Sequence, residues 1–298
     1  MSTTEPSSTL RIDRRVSPAV ALAFLRGSRY ENVFLLSRVA AAGTRSNHDP
    51  SHGTFLGAFD EDSSLRGLAF VGNTGTLALS VDDADVAAAF ARPLAADGLR
   101  FTIVVSEFAA GRAFLGAYRA AGGHEPQLNR KQLFYVLRAE DITKGIPDVE
   151  VEQASIDSID DLAELSCLMV AEDLKLDRMA IDNRRYRVRI ATSVTQGRSF
   201  LARERGGERV IFKCDLAVTG SEGALLEGVY TVKDQRRKHV ATRAVHALCR
   251  ALLQDDRIPF VALHVDARNV GARKVYEAVG FKHVMDFRLM LMPLEAEA

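Results

Sequence analysis

Two stretches near the C-terminal end of this 298-residue chain carry side chains whose types and spacing could do chemistry. The first is the turn Gln235–Ala241, with Arg236, Arg237 and Lys238 in a row. It lies between a strand-like run, LLEGVYTV, and a helix-like run, TRAVHALCRALL. A helix start offers unpaired N–H groups and the positive end of the macrodipole, so a cationic turn leading into one suits a phosphate. It is not a Walker loop, because G-x-x-x-x-G-K-[ST] is absent. A solvated basic turn explains the same residues equally well. The second stretch, DARNVGARKVYEAVGF, sets Asn269, Ala272 and Tyr276 close to one line of a helix that ends at Gly280, before a strand opening with Phe281. On the strand ahead of the turn, two-residue alternation puts Glu227 on one face with Val229 and Thr231. On the next strand, FVALHV, His264 brings an imidazole that titrates near neutral pH with little adjustment.

The elements that must position these residues recur in one order. Ser17 as N-cap and Pro18 at the first position predict a helix, and NVFLLSRVAAAG a second one stopping at Gly43. TFLGAFD and LRGLAFVGN read as strands joined by the turn EDSS, and GTLALSV as a third. A helix (DADVAAAFARPLAADG), a strand (FTIVVS), a helix (AAGRAFLGAYRAAGG) and a last strand (KQLFYVLRA) follow. After the charged, aperiodic RAEDITKGIPDVEV, with Gly145 and Pro147, the order begins again. Two helices (IDSIDDLAELSCLMVAEDL and DNRRYRVRIATSVTQG) precede a hairpin of SFLARER and RVIFKCDLAV around Gly206-Gly207, and then the stretch described first. LGAYRAAGG, around Tyr118, echoes KVYEAVGF, around Tyr276. An internal repeat is therefore expected, with residues 1–16 disordered, a first domain over 17–140, a linker over 141–150 and a second domain over 151–298.

The basic turn and the later phrase together resemble the GNAT superfamily of acyl-CoA-dependent N-acetyltransferases. In that family the turn reads R/Q-x-x-G-x-G/A and the phrase N-x-x-A-x-x-x-Y-x-x-x-G-F, which is complete here in Asn269, Ala272, Tyr276, Gly280 and Phe281. The resemblance covers roughly residues 150–294; in the N-terminal half it rests on element order. It implies an α+β (α/β three-layer) class: tandem GNAT-like domains, each a mixed, mostly antiparallel twisted sheet with helices on both faces and central strands that splay apart. It also implies acetyl-CoA as co-substrate. The backbone of Val229, Tyr230 and Thr231 would pair with the pantetheine. Amides of Arg237, Lys238, His239, Val240, Ala241 and Thr242 would cradle the diphosphate beside the charge of Arg236. Asn269 and Ala272 would lie along the pantetheine arm, and Tyr276 would protonate the departing thiolate. An amine nucleophile must lose a proton, and Glu227 and His264 are the candidate bases.

The chain departs from the family at two places. Arg237 and His239 stand where glycine is usual, and glycine there lets the backbone approach phosphate with unrestricted φ. Weakened CoA binding is expected. In the first half the corresponding turn carries Asp82, Asp83 and Asp85, which would repel a diphosphate, and Gly111 stands near the place of Asn269. That half reads as a degenerate copy without a cofactor site. The leading expectation is direct acetyl transfer to the amine of a small molecule or peptide. A non-catalytic acyl-CoA-binding or regulatory module is the alternative, and a pure interaction scaffold a third.

Bulk properties narrow the rest. Lys+Arg and Asp+Glu are 39 each, so a net charge of +0 removes the usual electrostatic reason to expect nucleic acid or an anionic membrane. No apolar run reaches the roughly 18 residues of a membrane span. Cys167, Cys214 and Cys249 share no short spacing, and His48 and His52 are flanked by Pro50 and Gly53, so neither disulfide nor metal is expected. A cytoplasmic monomer or homodimer is the expectation. Arg184, Arg185, Arg187 and Arg189 read as a solvated helix face, with a rim that attracts an acidic substrate or a CoA phosphate as the weaker alternative.

Overall fold

Ser17 and Pro18 open helix α1 (Pro18–Arg26), where the amide that proline lacks is one the helix could not have bonded. The computed structural model describes residues 10–45, 49, 52–96, 100–147, 149–255 and 258–293, so residues 1–9 of the expected disordered tail and His48 lie outside it. Two compact units share the chain: one runs to Phe134 and resumes at Met285, and the other is Tyr135–Val284.

In the first unit α1 is followed by α2 (Val33–Ala42) and an antiparallel meander of β2 (Gly53–Phe59), β3 (Leu65–Gly72) and β4 (Thr76–Val81). Arg11–Asp13, within the tail read as disordered, form a short strand β1 against β2. β4 runs parallel to β5 (Ile103–Glu107). The single helix expected between them is two, α3 (Ala84–Ala89) and α4 (Ala91–Ala96). Pro93 is the reason: it lacks an N–H, and its ring clashes with the carbonyl of Ala89, where α3 stops. Helix α5 (Phe108–Ala120) and strand β6 (Leu128–Leu137) follow, β6 passing out of this unit after Phe134. The end of the chain returns here. Residues from Met285 onward in β12 (Lys282–Leu291) pair antiparallel with β5, from Phe287↔Glu107 to Leu291↔Ile103. Alternation along β3 fills both faces, with Leu68 and Phe70 against α1 and α2, and Ala69 and Val71 against the α3–α5 side.

The second unit has α6 (Ile159–Leu174) and α7 (Asn183–Thr195). An antiparallel run of β7 (Glu152–Gln153), β8 (Ser199–Arg203), β9 (Val210–Gly220) and β10 (Gly223–Thr231) follows. β11 (Val261–Asp266) lies parallel to β10, after the crossover helix α8 (Val240–Arg250). Helix α9 (Val270–Val279) comes next. Each unit is thus a mixed, mostly antiparallel sheet with helices on both faces, as the resemblance implies. Among the described residues no helix is long and apolar enough to cross a membrane.

Gly280 closes α9 with φ +114°, and a Cβ there would overlap the backbone carbonyl oxygen of Asp141. Gly280→Ala is therefore expected to cost about 3 kcal/mol from backbone strain and overlap together. A urea midpoint shift worth less than about 1 kcal/mol would show that the Asp141 segment yields instead.

Candidate active site

Strands β10 and β11 pair over only three positions, Ala224↔Val261, Leu225↔Ala262 and Leu226↔Leu263. Both run on, β10 to Thr231 and β11 to Asp266, so the sheet opens between them from Glu227 and His264 onward. The β10 edge facing that opening presents backbone groups in the manner of an edge strand. On its other edge β10 stays paired with β9, Glu227 opposite Asp215 and Tyr230 opposite Lys213. Gly228 and Val229 thus stand against Cys214 alone. This is a β-bulge, and Gly228 supplies its left-handed residue at φ +62°. The bulge corrects the expected alternation. Asp215 and Lys213 are two apart on β9, so Glu227 shares a face with Tyr230, not with Val229.

That face lies under α6 and α7 and carries a buried polar network. The Lys213 side chain is 1% exposed, and its Nζ donates to Asp215 Oδ2 at 2.6 Å and to Ser166 Oγ on α6 at 3.0 Å. Ser199 Oγ donates to the other Asp215 oxygen at 2.6 Å. A Cβ on Gly228 would come 2.7 Å from Asp215 Oδ2 and 3.2 Å from Lys213 Nζ, so the pair sits directly beneath the bulge. The Glu227 side chain, 38% exposed at the opening, accepts a bond from Arg189 of α7 at 2.9 Å. Arg189 is 64% exposed, so the basic face of α7 is solvated as expected, but it is also ion-paired there; Arg187 likewise meets Asp160 at 3.1 Å. Further along, Tyr230 donates its hydroxyl to Glu172 at 2.7 Å. Arg236 also donates to Glu172 and to the Thr231 carbonyl, each at 2.9 Å, with its guanidinium over the Tyr230 ring. The Arg236 charge is tied to the end of β10.

The turn that follows holds Arg237 at φ +64° and His239 at φ +59°. These are the two positions where the resemblance expects glycine. The turn keeps the left-handed backbone of a glycine turn with two residues for which that conformation costs about 1–2 kcal/mol each. Lys238 Nζ donates to Gln235 at 3.2 Å, and Val240 packs on the α6–α7 cluster. The Arg243 amide bonds back to the His239 carbonyl at 3.0 Å, so the amides ahead of it, Ala241 and Thr242 included, have no helical carbonyl to meet.

Tyr276 approaches from the opposite face. Cys214 lies between Lys213 and Asp215 and so points away from α6 and α7, and Tyr276 is near it and near Cys249 of α8. Burial first, then these two sulfurs, push the Tyr276 phenol pKa upward, so it keeps its proton. Its ring meets Phe281 edge-on at 5.8 Å. Asn269 caps α9, its Oδ1 accepting the Ala272 amide at 3.0 Å. Stepping once from the Leu226–Leu263 pair, His264 projects to the same side as Glu227. Burial pushes its pKa down to about 4, correcting the expectation of near-neutral titration. It is a weaker proton acceptor than free imidazole. Sequence reasoning missed Lys213, Asp215, Gly228 and the pairing of Arg189. The signals were there: two charges two apart in an apolar strand, and a lone glycine within another.

In the first unit the corresponding helix starts are closed by the chain itself. Asp83 accepts the amides of Asp85 and Val86 at 2.9 and 3.0 Å, and Glu107 those of Ala109 and Ala110. Asp82 pairs with Arg66 at 2.7 Å.

Residues 177–281 match the acetyltransferase (GNAT) family. No curated protein matches the chain. Among solved structures, a GCN5-related N-acetyltransferase from Sphaerobacter thermophilus is similar at TM-score 0.59 and 15% identity, over 95% of this chain and 96% of that one. A tandem GNAT protein from the clavulanic acid biosynthesis pathway is similar at TM-score 0.53 and 15% identity, over 96% and 100%. A Drosophila protein is similar at TM-score 0.66 and 12% identity, over 96% and 99%. The splayed strands, the turn and the complete N-x-x-A-x-x-x-Y-x-x-x-G-F phrase lie within residues 177–281, a GNAT acetyltransferase domain by its match to the family, while the N-terminal half is GNAT-like by fold.

Proposed function

We propose that the protein is an acetyl-CoA-dependent N-acetyltransferase that passes the acetyl group directly to the amine of a small molecule or peptide, with the chemistry in the 135–284 unit. The observation that carries this reading is the β10 edge beyond Leu226, which β11 no longer pairs, running into a turn whose helix-start amides have no helical carbonyl to meet. An extended pantetheine adds to such an edge as a strand does, and a diphosphate suits such amides. In this reading the backbone of Val229, Tyr230 and Thr231 holds the pantetheine and the thioester, and the amides of Arg237–Thr242 hold the diphosphate. Glu227 accepts the amine proton, the nitrogen attacks the thioester carbon, the C–S bond breaks, and Tyr276 gives its proton to the sulfur. Glu227 is preferred to His264 as base because burial weakens the imidazole as a proton acceptor.

Thiol release from acetyl-CoA across a panel of amines tests this. Turnover with any amine supports it. CoA binding without turnover favours the acyl-CoA-binding module, and absence of CoA binding favours a scaffold. Because glycine at this left-handed position lets the backbone come closer to a phosphate than histidine does, His239→Gly is expected to tighten CoA binding by about fivefold, equivalent to about 1 kcal/mol. Unchanged or weaker binding by titration calorimetry would count against the turn as the phosphate site.

A further inference from the structure

We propose that the acceptor is an amine carrying its own anionic group close by, an amino-acid-like zwitterion, and that Arg189 reads that group by letting go of Glu227. This rests on the transferase reading above and narrows its substrate. Arg189 holds Glu227 through one hydrogen bond, Nη2 to Oε1 at 2.9 Å, so the candidate base is half of an ion pair. A second guanidinium, that of Arg198 just ahead of β8, donates to the Ala217 carbonyl and to Gln196. It lies within the electrostatic reach of Glu227, Asp215 and Arg189. Arg185 stands one turn before Arg189 on α7, with Tyr186 beside both.

The charges around Glu227 do not balance. Asp215 is matched by Lys213 at 2.6 Å, which leaves Glu227 as the counter-ion for both Arg189 and Arg198. Such a field favours an anionic ligand and disfavours a polycation. An amine without an anion would have to compete with Arg189 for Glu227 and leave the guanidinium without its partner. A zwitterion exchanges one internal pair for two: its carboxylate or phosphate takes Arg189, and its ammonium takes the released Glu227. Arg189 and Glu227 touch at the start, so the two charges of the acceptor must be closely spaced, as in an α-amino acid. The ammonium then loses one proton to Glu227, the free amine attacks the thioester carbon, and as the C–S bond breaks Tyr276 protonates the sulfur and takes up the second proton from the nitrogen.

The experiment compares thiol release with α-amino acids, their neutral carboxamides and an aliphatic diamine, in the intact protein and in Arg189→Gln. The acids are expected to exceed their carboxamides in kcat/KM by about tenfold or more, the worth of one well-formed ion pair. Arg189→Gln should erase that advantage by slowing the acids and, with no guanidinium competing for Glu227, quickening the carboxamides, and Arg189→Lys should restore part of it. Carboxamides or the diamine turned over as fast as the acids would overturn the inference and leave the transferase reading standing. So would a variant that slows every amine alike. No thiol release with any amine would overturn both.

Discussion

Replacing Lys213 with methionine should remove about 3–5 kcal/mol of folding stability, the cost of leaving a buried charge without its partner. Asp215 accepts from Lys213 and Ser199, and its position beneath the Gly228 bulge leaves it dependent on those bonds. Removing the ammonium leaves a carboxylate with one hydroxyl donor. The double variant Lys213→Met, Asp215→Leu should recover most of the loss, because exchanging a whole buried pair for apolar groups is often near neutral. Urea unfolding of the three variants reads both statements. A single-variant loss under about 1 kcal/mol, or a double variant no better than the single, would show that water or another cation serves Asp215. The pair also bears on function, since it supports the bulge that directs Glu227 and Tyr230 to one face. The double variant, though stable, should be slower in thiol release.

Tyr276→Phe should lower kcat by about a hundredfold or more while leaving CoA affinity unchanged, the size expected when a positioned general acid is lost. The ring is retained, so its contact with Phe281 and its packing survive. The pH dependence has a definite sign. Burial raises the Tyr276 pKa, so the phenol stays protonated at neutral pH and beyond the ordinary tyrosine range. The rate should therefore not fall between about pH 8 and 10 through this group. Single-turnover rates across that range check it. Full turnover in Tyr276→Phe would move the proton donor elsewhere, to solvent or to the acceptor itself.

The order of the elements was legible because each announces itself locally. Ser17-Pro18 starts a helix, alternating runs broken by EDSS or Gly206-Gly207 make hairpins, and Asn269 and Gly280 bound α9 with the side chain and the φ that a cap and a stop require. The phrase from Asn269 to Phe281 was readable for the same reason: its residues lie on one helix and its end. Even so, the single helix expected over 83–98 is broken ahead of Pro93, whose ring clashes with the carbonyl one turn back.

By itself, then, the sequence determined the class of fold, the repeat, the motif and the types of residue at the opening. Tertiary structure decided which of them meet. Pairing Glu227 with Asp215 and Tyr230 with Lys213 creates the bulge, and the bulge reverses the face on which the strand's side chains fall. Burial takes His264 from a neutral-pH base to one with a pKa of about 4. Packing of α7 brings Arg189 onto a glutamate 38 residues away, and the last strand from Met285 pairs with β5 near the chain's middle. Periodicity and capping act over a few residues and leave a local trace. Register, burial and ion pairing are set by partners distant in the chain, and no short window of sequence contains both halves of such a contact.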